Sequence, residues 1–313
     1  MDAAQLGEWS RLLVSGSLLA FLVAWLAFGA DHVARRRRPV RELAGVAADG
    51  PDSVGDTPET AREARRGLDA EKAAGIGWSV SILATALLAA GVLTRALAVE
   101  RAPWANMHEF SITGTLIAAA VFLGFGRTRI GRELAMWIVL LFVVTLALAV
   151  TILYVAPGPL VPALDSYWLV IHVGMAVTAF ALFTIAAVVS GLQIAAARAQ
   201  RLGRPSNLPT AASLDKLAYR LIAIAFPIWT IGPLILGAIW AEVSWGRYWG
   251  WDPKEVWALI TWLAYAAYLH ARATAGWSGV RASVVSLIGF ATLLFSYFAV
   301  NIVFNGLHSY GGV

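Results

Sequence analysis

Apolar runs of about 18 residues or more recur along the whole chain, each long enough to cross the ~30 Å hydrocarbon layer of a bilayer. No water satisfies the backbone inside that layer, so a spanning segment must be a helix or part of a closed barrel. These runs are too long and too uniformly apolar for barrel strands. The expected fold is all-α: a polytopic membrane helical bundle of about eight transmembrane helices. They fall at roughly 10–30, 76–98, 110–126, 134–155, 166–197, 216–241, 255–272 and 282–304. Composition agrees, with 59% of the 313 residues hydrophobic and 14% charged, against about 25% charged in soluble domains. The first run, Leu12 to Ala30, has neither a basic leader nor a clear small-residue cleavage site, so it is expected to remain as a helix.

Three regions follow from this reading: a first transmembrane helix over 1–30, a basic loop over 31–75, and a seven-helix membrane domain over 76–313. The stretch 31–75 opens with Arg35-Arg36-Arg37-Arg38-Pro39 and continues through Gly-, Asp- and Pro-rich sequence with few aromatics. Such a composition buries little apolar surface and predicts a mobile loop on the cytoplasmic side. With the amino terminus outside, nineteen of the 24 Lys and Arg residues fall on inner segments or their helix-end flanks. That asymmetry orients the bundle by the positive-inside rule and puts both termini outside, in a multi-pass protein of the cell (plasma) membrane. The net charge of +5 sits in short clusters between apolar runs, so it signals inner-face anchoring rather than nucleic-acid binding.

One segment resists explanation as a simple span. Six of the fourteen tryptophans lie between 240 and 262, and the core reads Trp245-Gly246-Arg247-Tyr248-Trp249-Gly250-Trp251-Asp252-Pro253-Lys254-Glu255, at the outer interface in this topology. An aromatic belt accounts for single tryptophans at this level. A belt spreads its aromatics over many helix ends, whereas these are concentrated and mixed with glycines and charges. The mixture suits a large, flat, amphipathic ligand. Indoles such as Trp245, Trp249, Trp251 and Trp257 stack on a π-system, glycines allow close approach, and cations such as Arg247 meet acidic groups at its edge. Asp252 has two readings, as a helix N-cap ahead of Pro253 or as a ligand contact. The preceding helix carries Pro227, Gly232, Pro233 and Gly237, a density that bends a helix and suggests a cavity.

Five histidines sort by depth. His172 lies ~10 Å into its helix from the outer end at 1.5 Å per residue, and His308 follows the last helix on the same side. Both converge in depth on the tryptophan-rich segment, and two neutral imidazoles suit the axial positions of haem iron. The alternative for each is a hydrogen bond to a neighbouring helix. His270 shares a helical stripe with Glu255, Leu259, Trp262 and Ala266, ~22 Å below Glu255. It reads equally as an inner haem contact or as a helix-end residue near the C-terminal dipole. His32 beside Asp31 reads as interfacial, and His108 stays open. The chain has no cysteine, hence no disulfide, thiolate chemistry or covalent haem site of its own.

The string Trp245 to Leu259, running on to Tyr265 and His270, resembles the WWD domain of haem-handling membrane proteins, specifically the CcsA/ResC type of cytochrome c biogenesis protein, called CcsB in many actinobacteria. Phe226-Pro227 through Ala241 resembles that family's approach helix. Leu164 to Val173 resembles its first external histidine motif, and Pro103 to Phe110 its outer loop. The resemblance covers roughly 100–313 and places the WWD segment at 240–257. It implies haem b as cofactor, with His172 and His308 as external axial ligands and His270 as an intramembrane histidine on the haem path. It also implies presentation of haem to the CxxCH thiols of an apocytochrome c, a ResB-type membrane partner and a thiol reductant protein. The expected role is the haem-handling subunit of a cytochrome c synthase. The alternatives are a haem-delivery or export protein loading a separate chaperone, and a secondary transporter using the Pro/Gly-broken helix. Two residues depart from the family pattern: Pro233 stands where proline is unusual, and His108 where tyrosine is common.

Overall fold

The computed structural model describes residues 2–46, 58–158, 166–304 and 306–307, with the backbone alone over 36–46 and 58–68. Among these the fold is all-helical: α1 (Ala3–Val46), α2 (Pro58–Val99), α3 (Met107–Phe125), α4 (Arg129–Thr151), α5 (Tyr167–Arg201), α6 (Ala211–Trp229), a π-helical turn (Thr230–Leu236), α7 (Gly237–Trp245), α8 (Pro253–Thr274) and α9 (Val280–Ile302). Seven stretches are long and apolar enough to cross a membrane, with Ala211–Trp245 counting as one. The remaining expected span is α8. Its 22 residues reach about 33 Å at 1.5 Å per residue, but Trp257, Trp262, Tyr265, Tyr268, His270 and Arg272 dilute its apolar character.

The helices run further into the 31–75 stretch than a loop would. α1 continues to Val46 and α2 begins at Pro58, leaving 47–57 outside the described residues. Ala-, Glu- and Arg-rich sequence on both sides of that gap has high intrinsic helix propensity, and it extends helices already nucleated in the apolar runs.

α5 is the hub of the bundle, touching α3, α4, α6, α7, α9 and the π turn, while α1 pairs with α2 and α4. Lipid supplies no hydrophobic drive between helices, so close approach and hydrogen bonds join them. Ser10 and Ser17 on α1 donate to the carbonyls of Gly91 and Ala84 on α2 at 2.7 and 2.8 Å. Phe21, Phe28, Phe122 and Phe142 interlock edge to face in one half of the core. Phe183, Trp229, Tyr265 and Leu293 fill the other.

Charged clusters mark both ends of the bundle. At one, Asp31 is fully buried and holds Arg132 at 2.8 Å and Arg35 at 3.1 Å, while Asp215 takes both guanidinium nitrogens of Arg272. At the other, Glu109 is fully buried between Arg95 at 2.9 Å and Arg101 at 2.7 Å, and it also accepts the Ala105 N–H. Burying one acid between two cations satisfies its lone pairs and fixes the α2–α3 connection.

Candidate functional site

The Pro/Gly-rich stretch after α6 breaks the helix in a specific way. Pro233 has no N–H to give to the carbonyl of Trp229, and the backbone widens into the π turn Thr230–Leu236. The Gly237 N–H then returns to the Gly232 carbonyl. α7 follows and ends at Trp245, with Gly246 in the left-handed conformation (φ 70°) as its cap, a backbone state glycine adopts without steric cost.

This widened segment forms one wall of a cleft that is partly open to its surroundings. Its lining is largely aromatic and apolar: Trp104 and Phe110, Phe180, Trp229, Trp240, and Tyr248 with Trp249 on the connection before α8. Polar groups are few and come from helix ends: Asn106 at the start of α3, Lys254 and Glu255 in the first turn of α8, and Ser296 and Asn301 in the last turns of α9. Apolar walls with a few convergent polar groups are the usual make-up of a small-molecule site.

His172 lines this cleft from the second turn of α5. Its Nδ1 lies 3.1 Å from the Gly232 carbonyl on the π turn. A carbonyl only accepts, so Nδ1 carries the proton and a neutral ring holds its lone pair on Nε2. The ring stacks parallel to Trp240 (5.9 Å, 7°), and Trp245 meets Trp240 edge-on at 4.6 Å. A Cβ at Gly237 would stand 2.9 Å from the His172 Cε1, so glycine is what lets the π turn approach this imidazole. The orientation of the ring is therefore set by tertiary contacts on two sides, the arrangement a ligating histidine needs.

The tryptophan-rich connection divides by position. Trp249 lines the cleft and meets Trp251 edge-on at 5.8 Å. Trp251 is 71% exposed and takes φ 57°, a strained conformation for a bulky residue. Arg247 is exposed and folds back over Gly250. Trp257 turns the other way and lies against Phe295 of α9 at 3.9 Å. Asp252 is buried and forms a reciprocal capping box with Glu255. Its Oδ1 also accepts the Leu307 N–H at 2.7 Å, tying the chain beyond α9 to the start of α8. The Glu255 carboxylate accepts the N–H groups of Gly250 and Asp252 at 2.8 and 3.0 Å.

Of the other histidines, His308 lies outside the described residues. His270 is exposed near the end of α8, away from the cleft lining. His108 is buried with Nδ1 2.9 Å from the Ala149 carbonyl and meets Tyr154 edge-on, so it joins α3 to α4. His32 is buried against Trp137, and its carbonyl accepts from Asn207 at 2.9 Å. Several lining residues carry no local signature. Trp229, Tyr297 and Asn301 look in sequence like ordinary helix residues, and only the meeting of α6, α8 and α9 directs them to one space. Tyr297 is fixed there by donating to the Met107 carbonyl at 2.9 Å while pairing with the Ser111 hydroxyl at 2.8 Å.

Residues 78–308 match the family model described as Cytochrome C assembly protein. A "Cytochrome c biogenesis protein CcsA" from Guillardia theta is 35% identical over 260 residues, covering 75% of this chain and 85% of that one. The CcsA of Chlamydomonas reinhardtii is 44% identical over 155 residues, or 49% of this chain and 43% of the relative, so that match spans under half of the relative's length. Among solved structures, "Cytochrome c Heme Lyase CcmF" aligns with a TM-score of 0.63 at 18% identity, covering 95% of this chain and 47% of that one. At that identity the likeness concerns the fold, and this chain spans about half the lyase's length. The sequence match, which takes in the π turn, the tryptophan-rich connection and α8 together, makes this chain a member of the cytochrome c assembly protein family, of the CcsA type.

Proposed function

We propose that this chain is the haem-handling subunit of a cytochrome c synthase, holding haem b in the aromatic cleft for thioether attachment to the CxxCH motif of an apocytochrome c. The observation that carries the reading is His172. It is an imidazole seated in a mostly apolar, indole-walled cleft, with its Nδ1–H directed to a carbonyl, so that Nε2 is the nitrogen that would hold iron. The chain's family supports a role in cytochrome c biogenesis, and a protein of similar fold is named a haem lyase.

In this reading His308 would hold the iron together with His172. Leu307, the residue before it, is held by Asp252 beside the cleft. Trp249 supplies a flat face at the cleft wall, Trp240 backs the His172 ring, and Trp251, exposed at its rim, is suited to meet the arriving client. Bound haem would supply the vinyl groups, across which a cysteine S–H would add to give each thioether with no net oxidation. The thiols come from the apocytochrome, kept reduced by a thiol reductant protein, because this chain has none. The chain's own contribution is orientation: the cleft holds the macrocycle so that thiol and vinyl meet in a reactive geometry. The cleft opens to the extracytoplasmic side of the plasma membrane, with both termini on that side. His270, exposed near the end of α8, is in this reading the intramembrane histidine on the haem path, and a ResB-type protein is the membrane partner.

The test is the visible spectrum of the chain purified with its partner. A low-spin, bis-imidazole haem signal is expected in the native protein and is expected to disappear in a His172→Ala, His308→Ala double variant. If that signal persists in the double variant, the axial assignment is wrong.

A further inference from the structure

The polar groups of the cleft are not scattered. Lys254, Glu255, Ser296, Asn301 and Asn106 sit at helix ends on one side. Ala258, one turn into α8, and Leu293, one turn back along α9 from Ser296, continue the wall as apolar surface toward Phe180 and Trp229. The polar groups share one end of α3, α8 and α9, and at that polar end the formal charges belong to Lys254 and Glu255.

Those two charges are in different situations. The Glu255 carboxylate is occupied by the Gly250 and Asp252 N–H groups. Asp252, the neighbouring acid, caps α8 and holds the Leu307 N–H. The Lys254 ammonium donates to two neutral acceptors, the Ser296 carbonyl at 3.0 Å and the Asn301 Oδ1 at 2.7 Å. It belongs to none of the ion pairs among the described residues, and Asp252 acts on it only through space. When protonated, the group has three donors, a third beyond the two it spends on α9. A cation in the wall of a largely apolar cleft, with no carboxylate in contact, favours an anion at that spot. Arg247, the cation expected from sequence to meet the ligand, stands exposed outside this lining.

We infer that Lys254 is the anchor for a carboxylate at the edge of the cleft's ligand. It fixes which edge of an amphipathic macrocycle faces the polar end. This rests on the proposed haem reading and deepens it: the carboxylate is a porphyrin propionate, and the opposite, apolar edge is directed toward Phe180 and Trp229. Lys254 thereby sets the rotation of the macrocycle about its own axis, which axial imidazoles leave free.

The test is made on the full chain in detergent, by quenching of tryptophan fluorescence with iron-free protoporphyrin IX and with its dimethyl ester. Neither probe can use an axial imidazole. The native protein is expected to bind the diacid about tenfold to a hundredfold more tightly than the diester, the range of a charge-assisted hydrogen bond. Lys254→Gln is expected to abolish that preference, so that diacid and diester bind alike. Because Lys254 also ties α8 to α9, a second variant keeps the side chain in place. Asn301→Asp puts a carboxylate within reach of the ammonium, preserves the tie, and is expected to remove the preference as well. Excess oleate, a carboxylate without a macrocycle, is expected not to compete. Equal binding of diacid and diester by the native protein, a preference surviving in Asn301→Asp, or displacement by oleate would each overturn the assignment of Lys254 and leave haem binding standing. Failure of both porphyrins to quench would overturn the assignment of Lys254, while the visible spectrum of the haem-loaded protein decides the axial reading separately.

Discussion

Asp252 shows how one side chain serves two structures at once. From sequence it reads as either a helix cap or a ligand contact. In the fold it caps α8 with one oxygen and holds the Leu307 N–H with the other, so its carboxylate is already committed. Asp252→Ala is expected to lower stability by about 1–2 kcal/mol, the usual cost of a lost N-cap, measured as a shift in thermal unfolding in detergent. It should also weaken haem binding through the loosened chain beyond α9, while Asp252→Asn, which keeps one accepting oxygen in place of two, should recover only part of the loss. A variant that loses haem with no change in unfolding temperature would instead indicate direct ligand contact. Trp251 carries the opposite signature. Its ring meets Trp249 edge-on, yet it stays largely exposed at a positive φ, and such strain persists at functional sites.

Among the elements, the π turn governs the site. A regular helix through 230–236 would rotate Gly232 and Gly237 away from α5, and His172 would lose both its carbonyl partner and its room. The closeness of Gly237 to the imidazole makes this testable. Gly237→Ala is expected to cost about 1–3 kcal/mol by overpacking. It should displace the His172 ring, seen as a shifted or high-spin haem spectrum in a protein whose helix content by circular dichroism is unchanged. An unaltered spectrum would show that the ring does not depend on this approach. The Arg95–Glu109–Arg101 cluster works in the same way on the other wall, fixing the connection that carries Trp104 and Asn106.

For the molecule as a whole, orientation decides whether the cleft can serve an extracytoplasmic client. The chain lacks cysteine, so single cysteines report topology without background. In intact cells an impermeant thiol reagent is expected to label Arg247→Cys, beside the cleft. It should spare Ser206→Cys, between α5 and α6, until the membrane is opened. The reverse pattern would place the tryptophan-rich connection in the cytoplasm and remove the proposed function.

Hydropathy and length were enough to specify the solvent this protein lives in, and with it the class of fold. Runs of apolar residues in lipid leave the backbone no partner except itself, and that demands helices. The motif from Trp245 to Glu255 was equally legible, because capping and turn chemistry act within a few residues. The extent of α1 and α2 was less so, since few aromatics argue against a folded core but not against a long helix. Which side chains share the cleft could be read only from the packed bundle. His172 and Trp249 face it, Trp257 and His270 face elsewhere, and Lys254 rather than Arg247 supplies its cation. Facing is set by how α5, α8 and α9 cross and by the widened turn after α6, and those angles depend on contacts between residues far apart in the chain.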